Sequence, residues 1–141
     1  MRKNLYTAAI TAILSVVATA CGNGAASEGK VLEAEDYAMA IKTDTTAVLI
    51  DVRTPEEYAQ GHIAGARLMD VSDEPGFMDV LDTLPSGNTY YIYCRSGRRS
   101  RKAAGIMMER GLEVVDLKGG YNAWVERDSM AGAGAGRSLA E

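Results

Sequence analysis

A chain of 141 residues, 47% apolar and 24% charged, has the composition of a soluble globular protein with room for one core and not for two. Its net charge of −4 argues against nucleic acid as a partner, since such proteins gather an excess of cations.

The first twenty residues are of a different kind. Arg2 and Lys3 precede an uncharged apolar run, LYTAAITAILSVVATA, that ends in small residues ahead of Cys21. These are the features of a signal peptide over 1–20. The run is somewhat short for a membrane span of about 20 residues. Ala18-Thr19-Ala20 fits ordinary secretory cleavage. ATAC followed by Gly22 also resembles a bacterial lipobox, with Ala18 where leucine is usual, and there Cys21 becomes the lipidated N-terminus. The lipobox is favoured because the one cysteine outside the later Cys94 loop falls at this position. Residues 21–30 then form a flexible tether. Either cleavage exports the chain, so the expectation is a periplasmic or outer-membrane-anchored lipoprotein of a bacterium. A Cys21–Cys94 disulfide is the alternative use of the two thiols in an oxidising compartment.

The globular part is expected over 31–127. VLEAEDYAMAIKT, 31–43, reads as a short strand and a helix. TAVLIDV, 46–52, is a continuous β-rich apolar run, the mark of a strand covered on both faces. TPEEYAQG, 54–61, opens a helix with Thr54 as N-cap, Pro55 at N1, Glu57 at N3 and Gly61 as stop. ARLMDV, 66–71, predicts a strand. EPGFMDVLDTL, 74–84, predicts a helix with Phe77, Val80, Leu81 and Leu84 on one side, followed by the turn PSGN, 85–88. TYYIYC, 89–94, is a further strand and GRRSRKAAGIMMERG, 97–111, a helix that Gly111 ends. LEVVDL, 112–117, is a strand and GGYNAWVER, 119–127, a helix. Alternating strands and helices predict an α/β domain with a mainly parallel sheet. The tail 128–141, which ends in the low-complexity AGAGAGRSLAE, is expected to be disordered.

Cys94 stands where a predicted strand gives way to a helix, the edge of an α/β sheet at which ligands bind. Unpaired N–H groups at a helix N-terminus attract anions. A thiol placed there, among Arg95, Arg98, Arg99 and Arg101, loses its proton more readily than a free cysteine. Gly97 can take a positive φ and let neighbouring N–H groups converge on the sulfur. The chemistry that follows is a nucleophilic thiolate stabilised by its loop. Which arginines face the sulfur is not fixed by spacing. No residue cluster has the spacing of a metal site, and no cofactor is called for.

Three segments in order resemble the signatures of a single-domain rhodanese, a sulfurtransferase family: VLIDVRTPEEYAQGHIAGARLMDV, 48–71; YIYCRSGRRSRKAAGIMMERG, 91–111; and VVDLKGGYNAW, 114–124. The resemblance covers about residues 30–127. It implies a three-layer α/β fold with a central parallel five-stranded sheet flanked by helices. It also implies that Cys94 is the catalytic cysteine and that Arg95, Ser96, Gly97, Arg98 and Arg99 complete the loop around its sulfur. Asp51 and Arg53 match charged positions near the site, and Asp51 and Glu57 are expected to be structural partners of arginines. His62 is expected to be a satisfied turn histidine and not a base. The implied reaction moves a sulfane sulfur from thiosulfate or another small sulfur-containing anion, through a Cys94 persulfide, to a thiol or cyanide.

Relatives of this fold that act on phosphate or arsenate use a loop one residue longer. Four residues separate Cys94 from Arg99 here, and position 100 is Ser, so the smaller cradle suits a single sulfur atom. A sulfur or redox carrier loaded by a partner protein, and a non-enzymatic binding module, are the alternatives. Retention of Cys94 weighs against the second.

Overall fold

The computed structural model describes residues 29–135. The expected signal peptide, the lipidation candidate Cys21, the tether up to residue 28 and residues 136–141 lie outside the described residues. The described elements are β1 (Lys30–Leu32), α1 (Ala34–Thr43), β2 (Ala47–Asp51), α2 (Pro55–Ala59), β3 (Arg67–Leu68), α3 (Glu74–Leu81), β4 (Thr89–Tyr93), α4 (Arg98–Glu109), β5 (Glu113–Leu117) and α5 (Gly120–Ala135). The five strands form one sheet in the order β1-β5-β4-β2-β3, with every neighbouring pair parallel. This is the α/β architecture that the sequence predicts.

β4 is central, and all five of its residues, Thr89 to Tyr93, are buried. Its side chains alternate between two cores. Tyr90 and Ile92 join Ile50, Val52, Phe77, Leu81, Ala103 and Met107 on the face that α3 and α4 cover. Tyr91 and Tyr93 join Tyr37, Leu49, Val115 and Leu117 on the face where α1 and α5 pack, with Trp124 against them. A strand buried on both faces has no polar alternation to show, which is why TYYIY and AVLID read as unbroken apolar runs.

The strand order places the site. From β2 the chain steps outward to β3, whereas from β4 it steps the other way to β5. β2 and β4 are neighbours, with Asp51 opposite Tyr93 at their carboxyl ends. Connections that leave adjacent strands in opposite directions open a crevice between them, the switch point at which open α/β sheets bind ligands. Asp51, Arg53 and Cys94 all lie at this crevice.

Three boundaries differ from expectation. β3 is only two residues long; past it the Met69 and Val71 N–H groups still bond Asp51 O and Val52 O, and both side chains are buried in the core. α3 ends at Leu81, and Val80, expected on its inner side, is 41% exposed while Phe77 and Leu81 are buried. α5 continues to Ala135, eight residues past the expected domain end at 127. Residues 128–135 are therefore helical and not part of a disordered tail. They extend a helix already nucleated by packing, in spite of the low helix propensity of Gly132 and Gly134.

Candidate active site

The loop 94–99 joins β4 to α4. Cys94 is 1% exposed and lies on the α4 side of the sheet, in the same core as Ile92. Its Sγ accepts a hydrogen bond from the Gly97 N–H at 3.1 Å. Gly97 is the N-cap of α4 with φ 102°, a left-handed conformation that returns the loop toward the sulfur. α4 has no side-chain cap and no acidic residue in its first turn, so its N-terminal dipole is not offset by a carboxylate of its own.

Burial of Cys94 opposes ionisation of the thiol. The Ser100 hydroxyl and the N–H groups of Ser100, Gly97 and Ser96 outweigh it and bring the thiol below its ordinary value of 9.0. Ser100 lies one residue beyond the loop expected from sequence, and the resemblance offered no reason to single it out. Its signal was its place at the third position of a helix whose N-terminus carries the sulfur.

The loop is held from behind by α5. Tyr121 N–H donates to Cys94 O at 2.7 Å and Asn122 N–H to Arg95 O at 3.1 Å. Gly120, at φ 61°, makes this contact possible. A Cβ there would stand 2.5 Å from Cys94 O and 2.7 Å from the carbonyl carbon of Arg95. The GGYNAW segment therefore sets the shape of a loop more than twenty residues earlier in the chain.

The arginines divide by role. Arg99 is clamped to Glu57 of α2 by two bonds of 2.6 and 2.7 Å, and its guanidinium is within electrostatic reach of Cys94. This clamp lowers Glu57 to about 2. Thr54 and Glu57 form the expected capping box, so Glu57 presents itself to Arg99 from a fixed helix start. Arg53 is buried, with its Nε and Nη2 on the Asp51 carboxylate at 2.6 to 3.0 Å and Nη2 also on Gly61 O at 2.6 Å. The Tyr121 ring covers that guanidinium at 4.3 Å. The expected pairing of Asp51 and Glu57 with arginines is thus observed. Arg95, Arg98 and Arg101 are exposed on the loop and on the outer side of α4. Of the four arginines whose facing the sequence left open, Arg99 is near the sulfur, Arg95 is at the cleft, and Arg98 and Arg101 are on the outer surface.

A cleft of about 260 Å³ beside the loop is lined by Arg53, Glu57, Gln60, Gly61, Arg95, Tyr121 and Asn122. With Arg53 paired to Asp51 and Glu57 to Arg99, the Arg95 guanidinium and the side-chain amides of Gln60 and Asn122 are the groups there that suit a small anion. A larger and more apolar depression of about 690 Å³ lies on the other side of Tyr121, over Ala38, Ile41, Leu49 and Trp124. It is the roomier space, but the loop residues 94–99 do not line it. His62 is exposed, stacked on Tyr58 at 3.7 Å, with Nδ1 3.0 Å from Tyr58 O. It is a turn histidine, as expected.

The Rhodanese-like domain family matches residues 33–127. A putative sulfurtransferase, YtwF, of Bacillus subtilis is 38% identical over 84 residues, covering 60% of this chain and 79% of that protein. A sulfurtransferase of Allochromatium vinosum is 34% identical over 94 residues, covering 66% of this chain and 85% of its relative. Among solved structures, a rhodanese-related protein from Thermoplasma volcanium superposes with a TM-score of 0.60 at 28% identity, covering 70% of this chain and 92% of that one. A rhodanese-like domain protein from Staphylococcus aureus gives a TM-score of 0.60 at 30% identity, covering 67% and 90%. With its fold, its Cys94 loop and a match that takes in α1 and the strands β2 to β5, the chain belongs to the rhodanese-like domain family.

Proposed function

We propose that this protein is a sulfurtransferase that carries sulfur as a persulfide on Cys94. The Cys94 thiolate attacks the outer sulfur of thiosulfate or a related small anion. A bond forms between Sγ and that sulfur, the sulfur–sulfur bond of the donor breaks, and its electron pair leaves on sulfite. An acceptor thiolate, or cyanide, then attacks the outer sulfur of the persulfide, and the pair of the broken bond returns to Sγ. No proton transfer is required when Cys94 and the acceptor both react as anions.

The observation that carries this reading is the Sγ of Cys94, buried yet held by the Gly97 N–H at the end of β4. Preorganised N–H donors stabilise the thiolate as nucleophile and as leaving group. The relatives named as sulfurtransferases support the same chemistry. With four residues between Cys94 and Arg99, the loop is small for a tetrahedral oxyanion and suits one sulfur atom. Arg95, exposed at the cleft, favours an anionic donor. Export and lipidation at Cys21 belong to the same proposal and rest on residues 1–21 alone; loss of palmitate labelling in Cys21→Ala cells tests them.

Thiosulfate-to-cyanide transfer followed as thiocyanate tests the reaction. Cys94→Ser is expected to abolish it while the far-UV spectrum and melting profile stay those of the parent. Retained transfer in that variant overturns the mechanism.

A further inference from the structure

Two buried polar atoms on the α4 side of the sheet, one on the helix that follows Cys94 and one on the strand next to β4, have no role in the scheme above. Ser100 is 0% exposed and Asp116 3% exposed. No hydrogen bond of good geometry reaches Ser100 Oγ or Asp116 Oδ1. Buried polar atoms are seldom left so, and two adjacent ones call for a cause.

Their placement supplies it. Asp116 of β5 stands opposite Ile92 of β4, two residues before Cys94. Its neighbours Val115 and Leu117 point to the α1 and α5 side, so Asp116 points with Ile92 and Cys94 to the α4 side. Ser100, in the first turn of α4, sits over this spot. Its hydroxyl is near enough to favour the anion of Cys94 and the anion of Asp116, although it meets neither in full hydrogen-bond geometry. A serine hydroxyl has one proton to donate and turns freely.

We propose that Ser100 is a positioning residue with two alternating acceptors: its hydroxyl donates to Cys94 Sγ when that sulfur is anionic and to Asp116 Oδ1 when it is not. The alternation rests on the sulfur-transfer reading. In the thiolate, Sγ holds the charge and the hydroxyl. When the persulfide forms, the charge of Sγ is spent in the new bond and the hydroxyl turns to the carboxylate. When the acceptor takes the outer sulfur, the bond from Sγ to that sulfur breaks, the pair returns to Sγ, and the hydroxyl turns back. Ser100 keeps its proton throughout, and no oxidant or reductant is needed. The titratable groups within electrostatic reach of the pair are Arg99 for Cys94 and, for Asp116 of β5, Arg101 on the outer side of α4 and Tyr37 of α1.

The test is the pH profile of iodoacetamide alkylation at Cys94 in the full chain, mapped by peptide mass so that Cys21 does not contribute. Ser100→Ala is expected to move the midpoint up by about one pH unit, a tenfold smaller thiolate fraction below it. Ser100→Thr is expected to restore the parental midpoint, which separates the hydroxyl from packing. Asp116→Asn is expected to lower the midpoint in the parent and to move it by less than half as much in the Ser100→Ala background. An unmoved midpoint in Ser100→Ala overturns the role of the hydroxyl. Equal shifts from Asp116→Asn in both backgrounds overturn the alternation. Alkylation needs no sulfur donor, so a shift in Ser100→Ala combined with no sulfur transfer by the parent would remove the transfer reading and uphold the hold on the thiolate.

Discussion

Replacing Gly120 by alanine puts a methyl group where the backbone of the active-site loop already lies. The new Cβ would be 2.5 Å from Cys94 O and 2.7 Å from both the carbonyl carbon and oxygen of Arg95, all of them main-chain atoms that cannot swing aside. The φ of 61° costs an L-residue about 1–2 kcal/mol by itself. Relief of the overlap requires α5 to withdraw from the loop, which stretches the bonds from Tyr121 N–H to Cys94 O and from Asn122 N–H to Arg95 O. Each is worth about 1 kcal/mol. The sum is about 3–4 kcal/mol, or roughly 12–20 °C in melting temperature for a domain of this size. Gly87 is the control: its φ of 97° is at least as strained for an L-residue, but an added Cβ meets nothing within 4 Å. Gly87→Ala is expected to lose only about 1–2 kcal/mol and no activity. Gly120→Ala is expected to lose more than tenfold in thiosulfate-to-cyanide transfer, at a temperature where both variants are folded, because the N–H groups no longer converge on Sγ. Thermal melts and initial rates read both quantities. Equal melting points for the two variants, or full activity in Gly120→Ala, would refute the view that α5 sets the loop.

The other predictions concern the charges behind the site. Arg53→Ala leaves Asp51 at 0% exposure without its guanidinium, retaining only neutral partners such as the backbone N–H at position 53 and the Tyr93 hydroxyl, and is expected to cost about 3–5 kcal/mol in urea unfolding; a loss below about 1 kcal/mol would contradict the structural role. Glu57 is held at about 2, against an ordinary 4.5, by its bonds to Arg99. A depressed carboxyl contributes its full stability above the ordinary value and loses it as pH falls from about 4.5 toward about 2. Glu57→Gln is expected to flatten the unfolding free energy across that window. At pH 7 the cost is about 1–2 kcal/mol, modest because both side chains are a quarter to a third exposed. An unchanged acid slope would show that the clamp on Arg99 does not couple to folding.

Much of this arrangement was legible in the sequence because it is local. Thr54, Pro55 and Glu57 announce the α2 cap within four residues, and the structure holds that cap as read. The apolar runs 47–51 and 89–93 name the two central strands, and Cys94 with Gly97 names the loop. What escaped depends on residues far apart in the chain. The four arginines near Cys94 look alike in sequence. Only the arrival of Glu57 from 42 positions away makes Arg99 the one turned inward. Ser100 looks like a helix residue until β5 brings Asp116 beside it. Val80 follows the apolar spacing of α3, yet it lies at the outer edge of the sheet by the two-residue β3, where little remains to cover it.

The persulfide itself is the decisive species. Intact mass of the purified protein before thiosulfate, after it, and again after cyanide reads it without an assay of rate. The account predicts a gain of about 32 Da, one sulfur atom, located on Cys94 by peptide mapping and removed by cyanide. A chain that stays at its starting mass with thiosulfate, polysulfide and a protein persulfide donor alike would contradict it.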